Sequence, residues 1–246
     1  MIIAISNHKG GVGKTTTVIN LGAGLQKMGN RVLLVDVDPQ YNLTTSLGVS
    51  DTTSNTYTMM KGERVKPIEI MPGLDVVPAV LDLAGIEAEM LAKPTRWERQ
   101  LAVPLEALAP KYDYVLLDTP PSLGALTVNS LVASDYVLIP LQAQYLALKG
   151  VLELNGIIAR VKEAYNPTLA LGGIVITQFD NRKVLNREVA ESIRKYYGER
   201  VFNTVIRDNV AIAEAPGAGV DIFKYQPKSK GASDYMELAR ELTTRM

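Results

Sequence analysis

Short apolar runs alternate with longer amphipathic stretches along almost the whole chain of 246 residues. The apolar runs are rich in Val, Ile and Leu, which is typical of strands buried on both faces of a parallel sheet. We predict strands over 2–6, 31–36, 74–78, 114–118, 136–140, 171–177 and 200–205. Helices are predicted over 14–28, 80–91, 96–109, 124–133, 145–165, 183–198, 209–215 and 231–244.

Alternation of this kind predicts an α/β fold, in which a doubly wound, mostly parallel sheet carries helices on both faces. The polar stretch 49–73 is the least regular part of the chain. Neither an internal repeat nor a linker interrupts the pattern, so we expect a single domain over 1–246.

A glycine-rich turn joins the first predicted strand to the first predicted helix, and it reads KGGVGKTT. Glycines let successive backbone N–H groups curl around phosphate oxygens, and the helix N-terminus adds partial positive charge. In such a loop Lys14 reaches the β- and γ-phosphates of a nucleotide, and Thr15 offers its hydroxyl to Mg²⁺. The glycines are closer together than in the usual P-loop NTPase pattern, and Lys9 precedes them, which defines a deviant Walker A motif. The loop residues predicted to bind nucleotide are Lys9, Gly10, Gly11, Val12, Gly13, Lys14, Thr15 and Thr16.

Two of the aliphatic strands end in carboxylates, at the sheet edge where α/β proteins bind their ligands. One run ends in Asp36-Val37-Asp38, and another ends in Asp118. A buried strand that delivers an Asp beside a phosphate loop can hold Mg²⁺ or its water ligands, and Asp118 fits this role best. Asp38 is placed to orient an attacking water and Asp36 to support it. Strand-end Asp residues also serve as helix caps or turn formers, and that structural interpretation stays open here.

Composition and charge narrow the range of functions. The chain has 26 Lys and Arg against 26 Asp and Glu, so any surface that binds nucleic acid has to be local. Cysteine is absent, which excludes disulfides, thiolate metal sites and iron–sulfur ligation. No apolar run is long enough for a membrane span and no signal peptide is evident, so we expect a cytoplasmic protein.

These motifs together resemble the ParA/Soj branch of the ParA/MinD deviant Walker ATPases, over nearly the whole chain. The residues that carry the resemblance are KGGVGKTT at 9–16, VDVDPQYNLT at 35–44, which contains the first switch of the family with its DPQ sequence, LLDTPPSLGALTVNSL at 116–131, VLIPLQAQYLALKG at 137–150 and VIRDNVAIAEAP at 205–216. Their order and spacing both match the family.

The resemblance implies an ATP- and Mg²⁺-dependent switch that forms a homodimer with ATP and positions plasmid, chromosome or other cargo. It implies that Lys9 crosses to the partner's nucleotide, that Asp38 acts in hydrolysis and at the metal, and that Arg207 and Asn209 contact the adenine. ATP turnover is expected to be slow until a ParB-type or equivalent protein stimulates it. The ATP-bound dimer is also expected to bind DNA without sequence preference, which would place it on the nucleoid.

This sequence departs from the family pattern where DNA contacts are expected. Arg207, Asp208 and Ala211 stand where the family has Pro, Arg and a basic residue, and Tyr41 replaces a Gly of the first switch. A basic stripe of Lys183, Arg187 and Arg194 lies at about 0°, 40° and 20° on a helical wheel and is the alternative DNA surface. A solvated helix face with mixed charges explains the same stripe.

Two further functions stay open on the sequence. A MinD-like membrane-surface ATPase needs a terminal amphipathic helix with a basic polar face, but the segment 235–242 mixes Glu with Arg. Metabolic relatives such as amidoligases lack the signature lysine in combination with the DPQ switch. Iron-protein reductases of the superfamily are excluded by the missing cysteines.

Overall fold

The computed structural model describes residues 1–92, 97–145 and 147–246. Eight strands form one sheet in the spatial order β3-β4-β2-β5-β1-β6-β7-β8, parallel throughout except for β3 at one edge. The strands are β1 (Ile2–Ile5), β2 (Val32–Asp36), β3 (Ile68–Met71), β4 (Leu74–Val77), β5 (Tyr114–Asp118), β6 (Tyr136–Gln142), β7 (Ala170–Phe179) and β8 (Val201–Arg207).

Helices cover both faces of this sheet. They are α1 (Lys14–Lys27), α2 (Asn42–Ser46), α3 (Thr56–Met60), α4 (Leu83–Ala92), α5 (Ala102–Leu108), α6 (Ala125–Val132), α7 (Ala147–Ala164), α8 (Val184–Tyr197), α9 (Val210–Glu214), α10 (Ile222–Tyr225) and α11 (Lys230–Arg245). The chain order, with its reversal at β1, is that of a doubly wound α/β fold, so the predicted fold class is confirmed.

Alternate residues of the central strands pack into the hydrophobic cores on opposite faces of the sheet. In β1, Ile3 and Ile5 pack with α1 and α11, whereas Ala4 packs with α7 and α8. A third cluster, beneath α4 and α5, receives Leu33 and Val35 of β2. This period of two is what a strand buried on both sides requires, and it explains why the strands read as unbroken aliphatic runs.

The structure adds four elements that the pattern did not predict. The antiparallel strand β3 lies within the stretch 49–73, and the short helices α2, α3 and α10 lie in segments predicted as loops. The helix predicted over 96–109 is divided into a 3₁₀ turn, Trp97–Arg99, and α5, while its first residue lies outside the described residues.

The C-terminal ends of the parallel strands lie along one edge of the sheet. β1 leads into the glycine-rich loop, and β2 and β5 end in Asp36 and Asp118 at matching register. The loops after β6, β7 and β8 continue this edge, so the predicted chemistry is gathered on one side of the molecule. Over the described ranges, no helix is long and apolar enough to cross a membrane.

Candidate nucleotide-binding site

The glycine-rich loop forms a cradle at the start of α1. Gly11 and Gly13 adopt φ values of 74° and 87°, which L-residues with a side chain rarely adopt, and these values curve the loop around an open space. The loop's outer carbonyls are held by β7, because the Thr177 hydroxyl donates to Val12 O at 2.8 Å and Gln178 Nε2 donates to Gly11 O at 2.7 Å.

The N-terminus of α1 is open to an anion. Its N-cap is Gly13, which provides no side-chain hydrogen bond, and no acidic residue occupies the first turn. The first N–H groups of a helix lack partners within it and carry partial positive charge. A phosphate group can satisfy both needs at once.

A cavity of about 440 Å³ opens directly in front of this helix. Of the residues predicted to bind nucleotide or to act on it, the cavity gathers Gly10, Gly11, Gly13, Lys14, Thr15, Thr16 and Asp38. Val12 is 1% exposed, so its side chain belongs to the core and only its backbone faces the loop. The first switch contributes Gln40, Asn42 and Ser46 to the wall, and Pro121 and Pro216 close the sides.

Lys14 is the cation at the base of the cavity. Its side chain is 92% buried, and Nζ donates to the carbonyl of Lys9 at 3.4 Å. Burial lowers its pKa, while the nearby carboxylates of Asp118 and Asp38 oppose this shift. The ammonium is therefore positioned between the loop and the acids, where a nucleotide phosphate would restore its charge balance.

Asp118 is the most unusual acid of the site. It is completely buried, and within the described part of the chain neither carboxylate oxygen has a well-formed hydrogen bond, although the Thr15 hydroxyl lies near enough to oppose the rise in its pKa. Burial raises its pKa well above the usual range, and the neighbouring Asp36 raises it further. An orphaned buried carboxylate is costly, which makes a cation or an ordered water the missing partner.

Asp36 has a structural role in the first switch. Its Oδ2 accepts bonds from the backbone N–H and the hydroxyl of Thr44, at 2.9 and 2.7 Å, and its Oδ1 accepts a longer bond from the N–H of Asp38, at 3.2 Å. The hydroxyl of Thr56 also donates to the Asp36 carbonyl at 2.6 Å. Asp36 thereby ties α2 and α3 to the end of β2. Burial raises its pKa to about 7.

The donor set fits Mg²⁺ better than a transition metal. Thr15, Asp38 and Asp118 offer only hard oxygen atoms, and among the described residues no group of three or more His, Cys, Asp or Glu side chains could form a metal cage. Mg²⁺ in nucleotide sites takes one or two protein oxygens and completes its shell with phosphates and waters. The two unpartnered oxygens of Asp118 are the observation that supports this fit.

A second cavity of about 350 Å³ continues from the first. The two share Gly13, Thr16, Gln178 and Pro216, and the second is also lined by Arg207, Asp208, Asn209 and Ile212. Its size and position suit the base of a nucleotide whose phosphates occupy the loop.

The two residues predicted to contact adenine are both engaged by the protein itself. Asn209 caps α9, with its Oδ1 accepting the N–H of Ala211 at 2.9 Å. The guanidinium of Arg207 forms a forked ion pair with Asp234 of α11, which also accepts the Arg207 backbone N–H at 3.0 Å. Arg207 is thus fixed at the rim of the second cavity.

The predicted DNA stripe is spread along α8. Lys183 is the exposed cap residue before the helix, with its Nζ 3.9 Å from Asp180, and Arg187 donates to the carbonyl of Asn181 at 2.7 Å. Arg194 lies three turns away and is half-buried, donating to the carbonyl of Asn203 at 3.3 Å. It lines a surface recess together with Arg200 and Arg245, two basic residues that the helical wheel could not bring to this face.

Sequence reasoning missed the contribution of β7. Thr177 and Gln178 hold the outside of the phosphate loop, and Gln178 lines both cavities with a positive φ of 51°. The available signal was a buried strand ending in polar residues at the ligand-binding edge, the same signal that identified Asp118.

Comparison with known proteins agrees with this geometry. The family model described as "AAA domain" matches residues 1–171. The chain is 44% identical over 252 residues to the chromosome partitioning protein ParA of Caulobacter vibrioides, covering 99% of this chain and 94% of that one. It is 44% identical over 247 residues to the sporulation initiation inhibitor protein Soj of Bacillus subtilis, covering 98% and 97%.

Solved structures show the same architecture. The structure titled cobyrinic acid a,c-diamide synthase from Mycobacterium smegmatis, with bound ADP and magnesium, superposes with a TM-score of 0.84 at 36% identity, covering 97% of this chain and 92% of that one. The phosphate loop, the strand-end carboxylates and the full-length similarity agree with one another. The chain belongs to the family of ParA/Soj-type partition ATPases.

Proposed function

We propose that this protein is a slow ATPase that works as a nucleotide-dependent switch in the partition or positioning of plasmid, chromosome or other cargo. The observation that carries the proposal is the pairing of an uncapped helix N-terminus, which faces the cavity, with a buried carboxylate, Asp118, whose charge acts on Lys14 at the base of that cavity. A triphosphate satisfies the first and its Mg²⁺ satisfies the second.

Each loop residue has a distinct part in binding. Lys14 contacts the β- and γ-phosphates from the base of the cavity, and the backbone from Gly10 to Thr16 surrounds them. The Thr15 hydroxyl and the Asp118 carboxylate would hold Mg²⁺ or its water ligands. Bound Mg²⁺ would neutralise charge on the phosphates as the terminal bond breaks.

Asp38 positions the attacking water. Its backbone follows β2, and its Oδ1 accepts the N–H of Gln40 at 2.9 Å, which orients the carboxylate at the cavity wall. The side chain is only 6% exposed, so it is shielded from bulk solvent. Removing it should leave ATP bound and stop its hydrolysis.

Lys9 provides the link to dimerisation. It does not line the cavity of its own protomer, and it lies on the exposed side of the loop. An ammonium supplied by a second copy would neutralise transition-state charge as an arginine finger does. We therefore propose an ATP-dependent homodimer, a single domain per chain, and a ParB-type or equivalent protein that stimulates turnover.

DNA is the proposed carrier surface. Lys183, Arg187 and Arg194 supply the phosphate contacts, and Arg200 adds to them beside Arg194. Since the chain's formal net charge is zero, binding has to be weak, local and salt-sensitive. We therefore propose a cytoplasmic protein that lies on the nucleoid when ATP is bound.

The MinD-like alternative finds less support. The terminal helix α11 buries its apolar residues against α1 and β8, with Tyr235, Leu238 and Leu242 no more than 1% exposed. A helix that uses its apolar face in the core cannot also insert that face into a membrane.

The metabolic alternative takes some support from the name of the Mycobacterium smegmatis structure, at 36% identity. Under that alternative, ATP consumption would depend on an amide donor and an acid substrate rather than on a protein partner. ATPase assays with and without glutamine and a corrinoid acid distinguish the two.

The direct experiment measures nucleotide binding and phosphate release in matched variants. Lys14→Ala should abolish ATP binding, whereas Asp38→Ala should bind ATP and release no phosphate. Equal turnover in Asp38→Ala and the parent protein would contradict the role given to Asp38.

A further inference from the structure

The residues at the start of the phosphate loop contact β6, α7 and Gln144, which lies between these two elements. Asn7 contacts Pro140 of β6, His8 contacts Gly150 of α7, and Lys9 contacts Gln144. Three successive residues therefore connect the nucleotide loop to this neighbouring part of the fold. The contacts of Asn7 and His8 hold the backbone firmly, whereas the contact of Lys9 joins two flexible side chains.

The contact of Asn7 is rigid. Asn7 is 2% exposed, and its Nδ2 donates to the carbonyl of Pro140 at 2.8 Å. Its Oδ1 accepts the backbone N–H of Lys9 at 3.0 Å, so Asn7 also fixes the main chain at Lys9. The position from which the Lys9 side chain starts is thereby set by buried hydrogen bonds.

The contact of His8 is tight. A Cβ at Gly150 would approach the His8 ring to 2.3 Å, so α7 accepts this ring only because residue 150 is glycine. His8 Nε2 lies 3.6 Å from Glu153 Oε2, one turn further along α7. The start of the loop and the first turns of α7 therefore move together.

The contact of Lys9 is of a different kind. Its Nζ donates to Gln144 Oε1 at 2.6 Å, through two exposed or half-buried flexible side chains. Over the described residues no salt bridge engages Lys9, so the amide of Gln144 is its one side-chain partner. This bond can break without any movement of the backbone that Asn7 and His8 hold.

We propose that Gln144 is a positioning residue that holds the Lys9 ammonium on its own protomer and so opposes formation of the ATP-bound dimer. The proposal rests on the function proposed above, in which Lys9 crosses to the partner's nucleotide. Because the Lys9 side chain has to extend away from its own protomer to reach the partner's nucleotide, dimerisation exchanges the bond to Gln144 for a bond to phosphate. The switch then needs the full triphosphate charge to release Lys9.

The size of the effect follows from the number of bonds broken. A net hydrogen bond between flexible side chains is worth about threefold in an equilibrium. Each dimer releases two lysines, so this factor is squared. Gln144→Ala should lower the dimer dissociation constant about tenfold. Gln144→Glu, whose charged acceptor binds an ammonium more tightly, should raise it.

The test measures dimer dissociation constants by sedimentation, with ATP and Mg²⁺, in Asp38→Ala protein as the reference. The same background carries Gln144→Ala or Gln144→Glu, and thermal melting of each variant checks that it is folded. The matched control repeats both substitutions with Lys9→Ala present, where the dissociation constants should no longer differ. A role of Gln144 in folding alone would not give opposite shifts that vanish with Lys9.

The outcomes separate the two proposals. A reference protein that stays monomeric with ATP contradicts the dimer itself, and with it the function proposed above. A reference that dimerises, with equal constants for Gln144→Ala and Gln144→Glu, overturns the role of Gln144 alone. A weaker dimer in Gln144→Ala would also overturn it, because Gln144 would then be a residue that supports the interface.

Discussion

Asp36 and Asp118 lie directly opposite each other on the adjacent parallel strands β2 and β5, and both are completely buried. Two carboxylates so placed cannot both ionise cheaply, because each is desolvated and repels the other. In the absence of a cation, the pair therefore retains protons at pH values where exposed carboxylates have lost them. Mg²⁺ bound beside Asp118 would remove this penalty.

This pair predicts an unusual pH dependence of stability. The pKa of Asp36 is about 7 in the folded protein, against about 4 when unfolded. The folded state thus binds more protons between these values, and the stabilisation present below pH 4 is lost as pH rises through about 7. The expected slope is up to about 1.4 kcal/mol per pH unit for each proton.

Urea unfolding between pH 5 and 8, without nucleotide or metal, measures this slope. Asp36→Asn keeps an oxygen acceptor for Thr44 and should flatten the curve. If the variant and the parent protein show the same pH dependence, Asp36 does not carry the effect.

Tyr41 predicts a stabilising substitution. It has a left-handed backbone with φ of 45°, and the residue is 42% exposed. A residue with a Cβ pays roughly 1 kcal/mol for this conformation. Tyr41→Gly should therefore raise the free energy of unfolding by about 0.5–1 kcal/mol, whereas Tyr41→Ala should not. Thermal melts in which Tyr41→Gly and Tyr41→Ala lose stability equally would contradict this backbone cost at Tyr41.

The ion pair between Arg207 and Asp234 predicts a coupled loss of stability. Asp234 is 3% exposed and accepts hydrogen bonds from both the guanidinium and the backbone N–H of Arg207. Asp234→Ala leaves those donors unpaired and should lower the free energy of unfolding by about 2 kcal/mol.

The same substitution should also weaken ATP binding, because residue 207 lines the second cavity. A double-mutant cycle with Arg207→Ala, measured in urea, should show coupling above 0.5 kcal/mol; additive losses would argue against the pair.

DNA binding is tested by charge reversal along α8. Replacing Lys183, Arg187 and Arg194 with Glu should abolish binding by the ATP-bound protein and leave ATP binding intact. Six phosphate contacts per dimer predict a slope of about −5 for log affinity against log salt.

A charge-matched control places three Glu residues at the exposed positions Arg64, Lys66 and Lys111. If this control also loses DNA binding, net charge and not the α8 surface is responsible. If the parent protein with ATP does not shift DNA at about 50 mM salt, the carrier is a surface other than the nucleoid.

The sequence predicted those parts of the structure that depend on local pattern. Asp118 could be placed at the edge of the sheet because Val115, Leu116 and Leu117 precede it as a continuous buried run. The loop from Lys9 to Thr16 could be identified because its chemistry requires closely spaced glycines. The fold class followed from the alternation of such runs with amphipathic helices.

Contacts between distant residues could not be predicted. Gln178 reaches the loop across 167 positions, and Asp234 reaches Arg207 across 27. The edge strand β3 was not predicted from the sequence, because Ile68–Met71 is short and only half-buried and so lacks the unbroken apolar run of the inner strands. The basic neighbours of Arg194 are Arg200, from the 3₁₀ turn before β8, and Arg245, from α11, and they likewise depend on tertiary packing.

We expect ATP, acting through Lys9, to convert a monomer into a dimer. Light scattering of the Asp38→Ala protein measures it most directly, with no nucleotide, with ADP, and with ATP, each in the presence of Mg²⁺. We expect 26.8 kDa in the first two conditions and twice that mass with ATP, with Lys9→Ala reducing the dimer. A dimer that forms equally well without nucleotide, or that Lys9→Ala leaves unchanged, would contradict an ATP-dependent switch through Lys9.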